Sequence, residues 1–235
     1  MNDAKRGQAF TKAANVISIA AREGGPNPDM NFKLRLAMDA ARTINMPKEN
    51  IERAINRGAG IGSGAALEAL TYEGFAPHGV ALVVETVTDN KARTASNVRS
   101  IFDKNGGTMA GPGSVSWMFK TVGAVTVKVP VAEAEEVAFE AADYGATDFE
   151  IAGEVVTLYC EPADLEKLKE YIGSKGFEIT SSELNMIATN LTKLEDVKSI
   201  SSVLGLIEKL EDLDDVQKVH ANFEAEDALI AQVAG

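Results

Sequence analysis

The spacing of apolar residues changes once along this 235-residue chain, and it changes at a glycine run. Before Gly58-Ala59-Gly60-Ile61-Gly62-Ser63-Gly64 the apolar residues recur every three to four positions; after it they alternate. A period of 3.6 buries one stripe of a helix and a period of 2 buries one face of a strand. The chain must therefore build a helical module first and a sheet-based body second. Phe10, Ala13, Ala14, Ile17 and Ala21 form the first stripe, which Gly24-Gly25-Pro26-Asn27-Pro28 stops. Leu34, Ala37, Met38, Ala41 and Ile44 form a second. Pro47 suits the first turn of a third helix, with Ile51, Ala54 and Ile55 inward and Gly58 placed to cap it. Three short helices with short connections predict a small bundle over residues 1–60. The glycine run reads as a linker that lets the bundle swing relative to the body. A phosphate-binding glycine loop would need a strand before it and a helix after it, which is the reverse of the order here.

In the body, a strand is expected at Leu70–Gly74. Val80, Leu82 and Val84 alternate with Ala81, Val83 and Glu85 in another. Asp89 or Asn90 caps a helix running to about Asn105, with Ala95, Val98, Ile101 and Phe102 inward, and Gly106-Gly107 ends it. Val115, Trp117 and Phe119 alternate in a further strand, which Gly123 breaks from Ala124–Val129. A second unit follows: a helix at Ala132–Asp143, strands Asp148–Ala152 and Glu154–Cys160 joined at Gly153, a helix around Leu165, Leu168 and Ile172, and an extended stretch Phe177–Leu191. A last helix (Val197, Ile200, Leu204, Ile207) and strand (Val219, Ala221, Phe223) complete the first unit as a split βαβ arrangement. The expected fold class is α+β: an N-terminal three-helix bundle plus two ferredoxin-like α/β domains, one inserted in the other. The expected spans are 1–60, then 66–130 with 195–235, and 131–194 as the insertion; the pattern does not decide which unit owns Ala124–Val129.

Composition limits the chemistry. An apolar fraction of 45 % and a charged fraction of 25 % are ordinary for a soluble globular chain. No stretch approaches the roughly 20 apolar residues of a membrane span, and the N-terminus lacks the apolar segment of a secretory signal. The single cysteine, Cys160, lies in an apolar alternation and reads as a buried thiol in a reducing compartment. The expected location is cytoplasmic, or the mitochondrial matrix in a eukaryote, with no membrane partner. His78 lies in a turn and His220 alternates outward from Val219 and Ala221, so no zinc spacing forms. No nucleophile elbow stands between a strand and a helix; Gly111-Pro112-Gly113-Ser114 reads as a turn. The run Glu208–Asp215 lacks the ligand order of a calcium loop and reads as a solvated helix end. Glu85 and Asp89-Asn90 stand at a strand-to-helix turn, where α/β folds often place function, though capping alone explains Asp89-Asn90. These residues predict a non-enzymatic protein with no cofactor, no metal and no small-molecule substrate.

Charge is divided unevenly. Residues 1–60 hold ten Lys/Arg against six Asp/Glu, a net of +4; the rest carries −16, which together make the −12 of the whole chain. Such asymmetry points to a polyanion contact by the basic part, while the acidic body repels phosphate and limits indiscriminate binding. Lys5, Arg6, Lys12 and Arg22 avoid the apolar stripe of the first helix, Lys33, Arg35 and Arg42 that of the second, and Lys48, Arg53 and Arg57 that of the third. These ten are the candidate phosphate contacts. Lys91, Arg93 and Arg99, with Lys104, give the body's first helix a second cationic face for secondary contacts. An i, i+4 pair such as Glu49/Arg53 is the ordinary surface alternative. A rival reading is a scaffold whose bundle binds an acidic protein.

Several segments resemble one family. Asp3-Ala4-Lys5-Arg6-Gly7, Phe10-Thr11-Lys12, Ala20-Ala21-Arg22-Glu23-Gly24-Gly25 and, most specifically, Asn45-Met46-Pro47-Lys48-Glu49-Asn50-Ile51-Glu52-Arg53-Ala54-Ile55 are similar to the YebC/PmpR family. Tyr72-Glu73-Gly74, Thr88-Asp89-Asn90 with Arg93-Thr94, and Gly113-Ser114-Val115-Ser116-Trp117-Met118-Phe119 follow in the same order, so the resemblance spans essentially the whole chain. It implies three domains and a regulator of gene expression. Bacterial members are described as DNA-binding transcriptional regulators. Mitochondrial relatives act as translational activators, and bacterial members are also tied to ribosomes stalled on proline-rich stretches. The implied partners are duplex DNA or ribosomal RNA, and with it the ribosome, contacted by the helical domain. Of the ten cations, Lys5, Arg6, Lys12, Arg22, Lys48, Arg53 and Arg57 match the family pattern. The family usually begins with a further basic segment carrying Lys, His and Trp, whereas here Met1 stands almost directly on the first motif. Loss of that segment would weaken binding, because affinity scales with the number of phosphate contacts.

Overall fold

The computed structural model describes residues 3–61 and 66–234. The helical part holds α1 (Asp3–Gly24), α2 (Phe32–Thr43) and α3 (Lys48–Gly58). Ile17, Ala20 and Ala21 of α1 meet Leu34, Ala37 and Ala41 of α2 and Ile51 and Ala54 of α3 in one core. Asn31, only 5 % exposed, ties the first turn together. Its Oδ1 accepts from Leu34 N at 3.1 Å as the α2 N-cap, and its Nδ2 donates to Ala20 O and Gly25 O at 2.7 and 2.8 Å. The Asn45-Met46-Pro47 motif has a physical account. Asn45 takes a left-handed φ of 59° at the end of α2. The Asn45 and Met46 N–H groups close back on Arg42 O and Ala41 O, the Met46 side chain is buried, and Pro47 caps α3.

The same closing motif ends α3, but its glycine is Gly60 (φ 75°), not Gly58. Gly60 N donates to Arg57 O and Ile61 N to Asn56 O. Gly58 serves packing instead. A Cβ there would lie 2.2 Å from Ser18 O, so its hydrogen lets α3 press onto α1. Beside it Ser18 Oγ donates to Ala54 O at 2.8 Å. The remainder of the expected linker, Gly62-Ser63-Gly64, lies outside the described residues. The bundle is seated on the body rather than held away from it. Leu36 enters the core of the second sheet, Lys169 Nζ lies 3.3 Å from Asp39 Oδ2, and Gln8 Nε2 donates to Asp212 O at 2.8 Å.

The body contains β1 (Glu68–Phe75), β2 (Ala81–Thr88), α4 (Lys91–Lys104), β3 (Thr108–Ala110), β4 (Phe119–Lys128), α5 (Ala134–Glu140), β5 (Ala146–Ala152), β6 (Val155–Cys160), α6 (Leu165–Ser174), β7 (Glu178–Ala188), β8 (Thr192–Lys193), α7 (Val197–Glu211), β9 (Val216–Ala221), β10 (Phe223–Glu224) and α8 (Asp227–Ala234). One antiparallel sheet runs β3-β1-β2-β9 and the other β5-β6-β4-β7, while β8 and β10 form a short parallel pair. The architecture is α+β. The second sheet has the connectivity β-α-β-β-α-β from β4 to β7. The stretch Ala124–Val129 therefore pairs with the insertion. β4 is hydrogen-bonded to β7 over Phe119–Lys128 and to β6 over Gly123–Lys128, and Val129 N donates to Glu154 O at 2.8 Å. We accordingly place the boundary between the two α/β domains near residue 118 rather than 130.

Two strand expectations change. Ser116–Met118 is a 3₁₀ turn, and β4 starts only at Phe119 and runs unbroken through Gly123. The reason lies in β1: the buried Glu73 carboxylate takes the N–H groups of Gly113, Val115 and Ser116 at 2.7–2.9 Å, so they cannot enter a ladder. Gly123 does not break the strand; a Cβ there would meet Cys160 Sγ at 2.7 Å. His220, expected to face outward, is only 5 % exposed. It pairs with Val83 on the sheet face that lacks helices. That face is covered, because Ala81 and Val83 pack with Val115, Phe119 and Met186 against the second domain. The opposite face carries Leu82 and Val84 against Phe102, Ile200 and Leu206 of α4 and α7.

Candidate nucleic-acid interface

The ten N-terminal cations separate into two sets when followed to their partners. One set is occupied by the protein itself. Lys12 Nζ donates to Glu211 O at 2.5 Å, and its pKa is lowered, chiefly because burial penalises the charged form; Glu211, Asp214 and Asp212 partly offset that. Arg22 donates to Leu67 O where the chain enters the body. Arg35 donates to Pro28 O and Asp29 O at 2.7 and 3.1 Å, which holds the turn before α2, and lies over the Phe32 ring. Lys33 pairs with Glu23 at 3.1 Å and Arg42 with Asp39 at 2.9 Å. Lys12, Arg22 and Arg35 thus act as clamps that tie separate segments of the chain together through backbone carbonyls.

The second set faces solvent. Lys5, Arg6, Arg53 and Arg57 are exposed, with no carboxylate partner among the described residues. Arg6 lies 5.4 Å from the Phe10 ring centroid, a cation–π placement that orders it. Asn50, Arg53 and Arg57 share one stripe of α3 that flanks the buried Ile51 and Ala54, and Arg53 donates to Asn50 Oδ1. Lys48 stands nearby at 3.6 Å from Glu52, an exposed pair of small energetic weight.

The secondary cations on α4 are mostly engaged. Lys91 lies 2.6 Å from Glu68. Arg93 binds Asp215 and Asp89 at 3.0 and 2.9 Å, contacts that raise its pKa further. Arg99 is exposed. The turn at Asp89-Asn90 is accounted for structurally: Asn90 Oδ1 caps α4 through Arg93 N at 3.0 Å, and Thr94 Oγ1 reaches Thr88 Oγ1 and Asp215 Oδ2 at 2.8 and 2.7 Å. Cys160 is fully buried, and its thiol pKa is pushed up to about 11 by desolvation and then by Asp164 and Glu161, which keeps it protonated. No group of three or more His, Cys, Asp or Glu side chains among the described residues is arranged to hold a metal. No described helix is long and apolar enough to cross a membrane.

Two features of this region had no separate signal in the periodicity. Glu73 sits at a strand position where an apolar residue would be expected, yet it organises the loop carrying Trp117, which is 64 % exposed and whose indole N–H donates to Ser114 O at 3.1 Å. A cleft of about 530 Å³ also opens where the bundle meets both sheets, lined among others by Lys12, Glu85, Ser182 and Gln217.

Comparison with known proteins agrees with this architecture. Residues 1–61 match a family model described as the TACO1/YebC protein N-terminal domain, and residues 67–223 match one described as the TACO1/YebC second and third domain. A relative in Roseiflexus castenholzii is 48 % identical over 235 residues, covering 98 % of this chain and 92 % of its own length. One in Herpetosiphon aurantiacus is 43 % identical over 233 residues, covering 99 % and 92 %. Both are named probable transcriptional regulatory proteins. The crystal structure of a conserved hypothetical protein from Aquifex aeolicus superposes with a TM-score of 0.88 at 41 % identity, over 96 % of this chain and 93 % of that one.

Proposed function

This chain belongs to the TACO1/YebC family, and from that membership we propose that it is a cytoplasmic, non-enzymatic regulator of gene expression that binds nucleic acid through the outer face of its helical domain. The observation that carries this reading is the division of the cations. Lys12 and Arg22 are held by the body, whereas Lys5, Arg6, Arg53 and Arg57 are left to solvent on a module of opposite charge to the rest of the chain. Phosphate contacts of this kind position a protein on a strand without reading its sequence. The acidic body then repels the backbone and orients the complex so that only the helical face approaches. The relatives are named as probable transcriptional regulators, and the four cations suit duplex DNA and ribosomal RNA equally well.

Arg53→Glu combined with Arg57→Glu is expected to abolish binding at moderate salt to both random duplex DNA and ribosomal RNA, read by fluorescence anisotropy. The fold should be retained, because both side chains are exposed and neither joins the bundle core. Wild-type affinity for the two targets, measured side by side, separates transcriptional from ribosomal engagement. Unchanged binding by the double variant would move the contact elsewhere. Retention of an acidic protein partner in excess tRNA would favour a scaffold instead.

A further inference from the structure

The cleft between the bundle and the two sheets is built for something other than phosphate. Its walls are aliphatic, with Val16 and Ile19 from α1, Leu36 from α2, Leu70 from β1 and Leu184 from β7. The lysines around it are already committed: Lys33 to Glu23, Lys218 to Glu183 at 2.8 Å, and Lys12 to a backbone carbonyl. What remains unpaired among the described residues is a hydroxyl, an amide oxygen and the Nε2 of His220. Ser182, 8 % exposed, has a buried Oγ with no partner among the described residues, and so does the Oε1 of Gln217, whose amide nitrogen is turned to Asp215 O at 3.4 Å. The Glu85 carboxylate lies 3.6 Å from His220 Nε2, too far for a hydrogen bond. An unmet buried polar group is destabilising, and a hydrogen-bonding ligand would relieve it.

We propose that this cleft receives a nucleobase bearing an exocyclic amino group, held by its apolar faces between the aliphatic walls and by its amino edge on Gln217, Glu85 and Ser182. Adenine, cytosine and guanine each present such an amine, whereas uracil presents carbonyl acceptors and one ring N–H, which this wall would meet less well. Unpaired bases splayed from a strand are the usual object of RNA recognition, and the cleft is walled in part by α1, the helix that bears Lys5 and Arg6. The inference rests on the nucleic-acid reading, and the base could equally come from a free nucleotide.

The deciding experiment is binding of the full chain to hexamers of riboadenylate, ribocytidylate and ribouridylate, each measured by anisotropy at one salt concentration. The adenine and cytosine hexamers should bind about tenfold or more tighter than the uracil hexamer. Gln217→Leu and Glu85→Ala should each bring adenylate and cytidylate binding down to the uridylate level, with Ser182→Ala as the substitute should either fail to fold. Arg53→Glu/Arg57→Glu should instead abolish binding of all three alike. Absence of a base preference, or a preference that the cleft variants leave intact, overturns the pocket while phosphate binding stands. If no hexamer binds, the underlying reading fails and adenosine monophosphate decides the pocket by itself. Binding lost in Gln217→Leu would keep it as a free-nucleotide site; no binding would overturn it.

Discussion

Gly58→Ala is expected to destabilise the helical domain by about 3 kcal/mol, even though alanine is the better helix former. Two effects oppose each other. Helix propensity favours alanine by at most about 1 kcal/mol, the interior value, since Gly58 is the last residue of α3. Packing opposes it, because the new Cβ would sit 2.2 Å from Ser18 O and 2.9 Å from the Ala21 Cβ. The nearest atom is backbone of another helix, so no side chain can swing aside; α3 must lift from α1, and the 2.8 Å bond from Ser18 Oγ to Ala54 O is strained or lost with it. Overpacking costs about 1–3 kcal/mol and a lost hydrogen bond about 1 more, so packing wins. Gly205→Ala is the internal control. Gly205 lies within α7, and a Cβ there meets nothing within 4 Å among the described residues. It should stabilise by about 1 kcal/mol. Urea unfolding of both variants measures the contrast, and a stabilised Gly58→Ala would refute the close approach of α1 and α3.

Glu73→Ala should be of comparable severity, about 3–5 kcal/mol, because truncation strands three N–H groups that share one buried carboxylate. The loop Gly113–Ser116 would lose its only described anchor on β1, and Val115 its place in the interdomain core. Trp117, the only tryptophan in the chain, reports this directly: its emission should shift towards that of a mobile indole. The pH dependence has a definite sign. Burial by itself would raise the Glu73 pKa, but the N–H groups of Val115, Gly113 and Ser116 outweigh it and the net shift is downward. The stabilisation from the ionised carboxylate is therefore present in full above its ordinary value near 4.5 and is lost as pH falls through the lowered folded value. Glu73→Gln should flatten that acid limb of the stability profile; an identical limb in the variant would remove Glu73 as its source.

Much of this architecture was legible because the two periods are physically distinct. The stripe Phe10-Ala13-Ala14-Ile17-Ala21 and the alternation at Val80-Leu82-Val84 both became core as spaced. What failed did so for tertiary reasons. Val115-Trp117-Phe119 alternates like a strand, but a carboxylate from β1 captures the backbone that a ladder would use. Gly58 and Gly123 look like punctuation, yet each is a site of close approach to another element. His220 alternates outward locally and is buried because a second domain covers that face, which no local pattern encodes. Among the candidate contacts, composition marked all ten N-terminal cations alike. Only the fold separates Arg22 and Lys12, spent on the body, from Arg53 and Arg57, left to solvent. Ser182 and Gln217 carried no signal at all, since each is an ordinary polar residue in its own strand and acquires meaning only where three domains meet.

The most direct test of the central claim is the salt dependence of binding by the unaltered chain. If Lys5, Arg6, Arg53 and Arg57 are the phosphate contacts, about four counterions are released. A plot of log affinity against log salt should then fall with a slope of about −3 on single-stranded RNA and about −3.5 on duplex DNA. Arg53→Glu/Arg57→Glu should leave no measurable binding from which to draw a slope. A flat salt dependence with intact affinity would contradict the account, because it would place recognition away from phosphate and from the outer face of the helical domain.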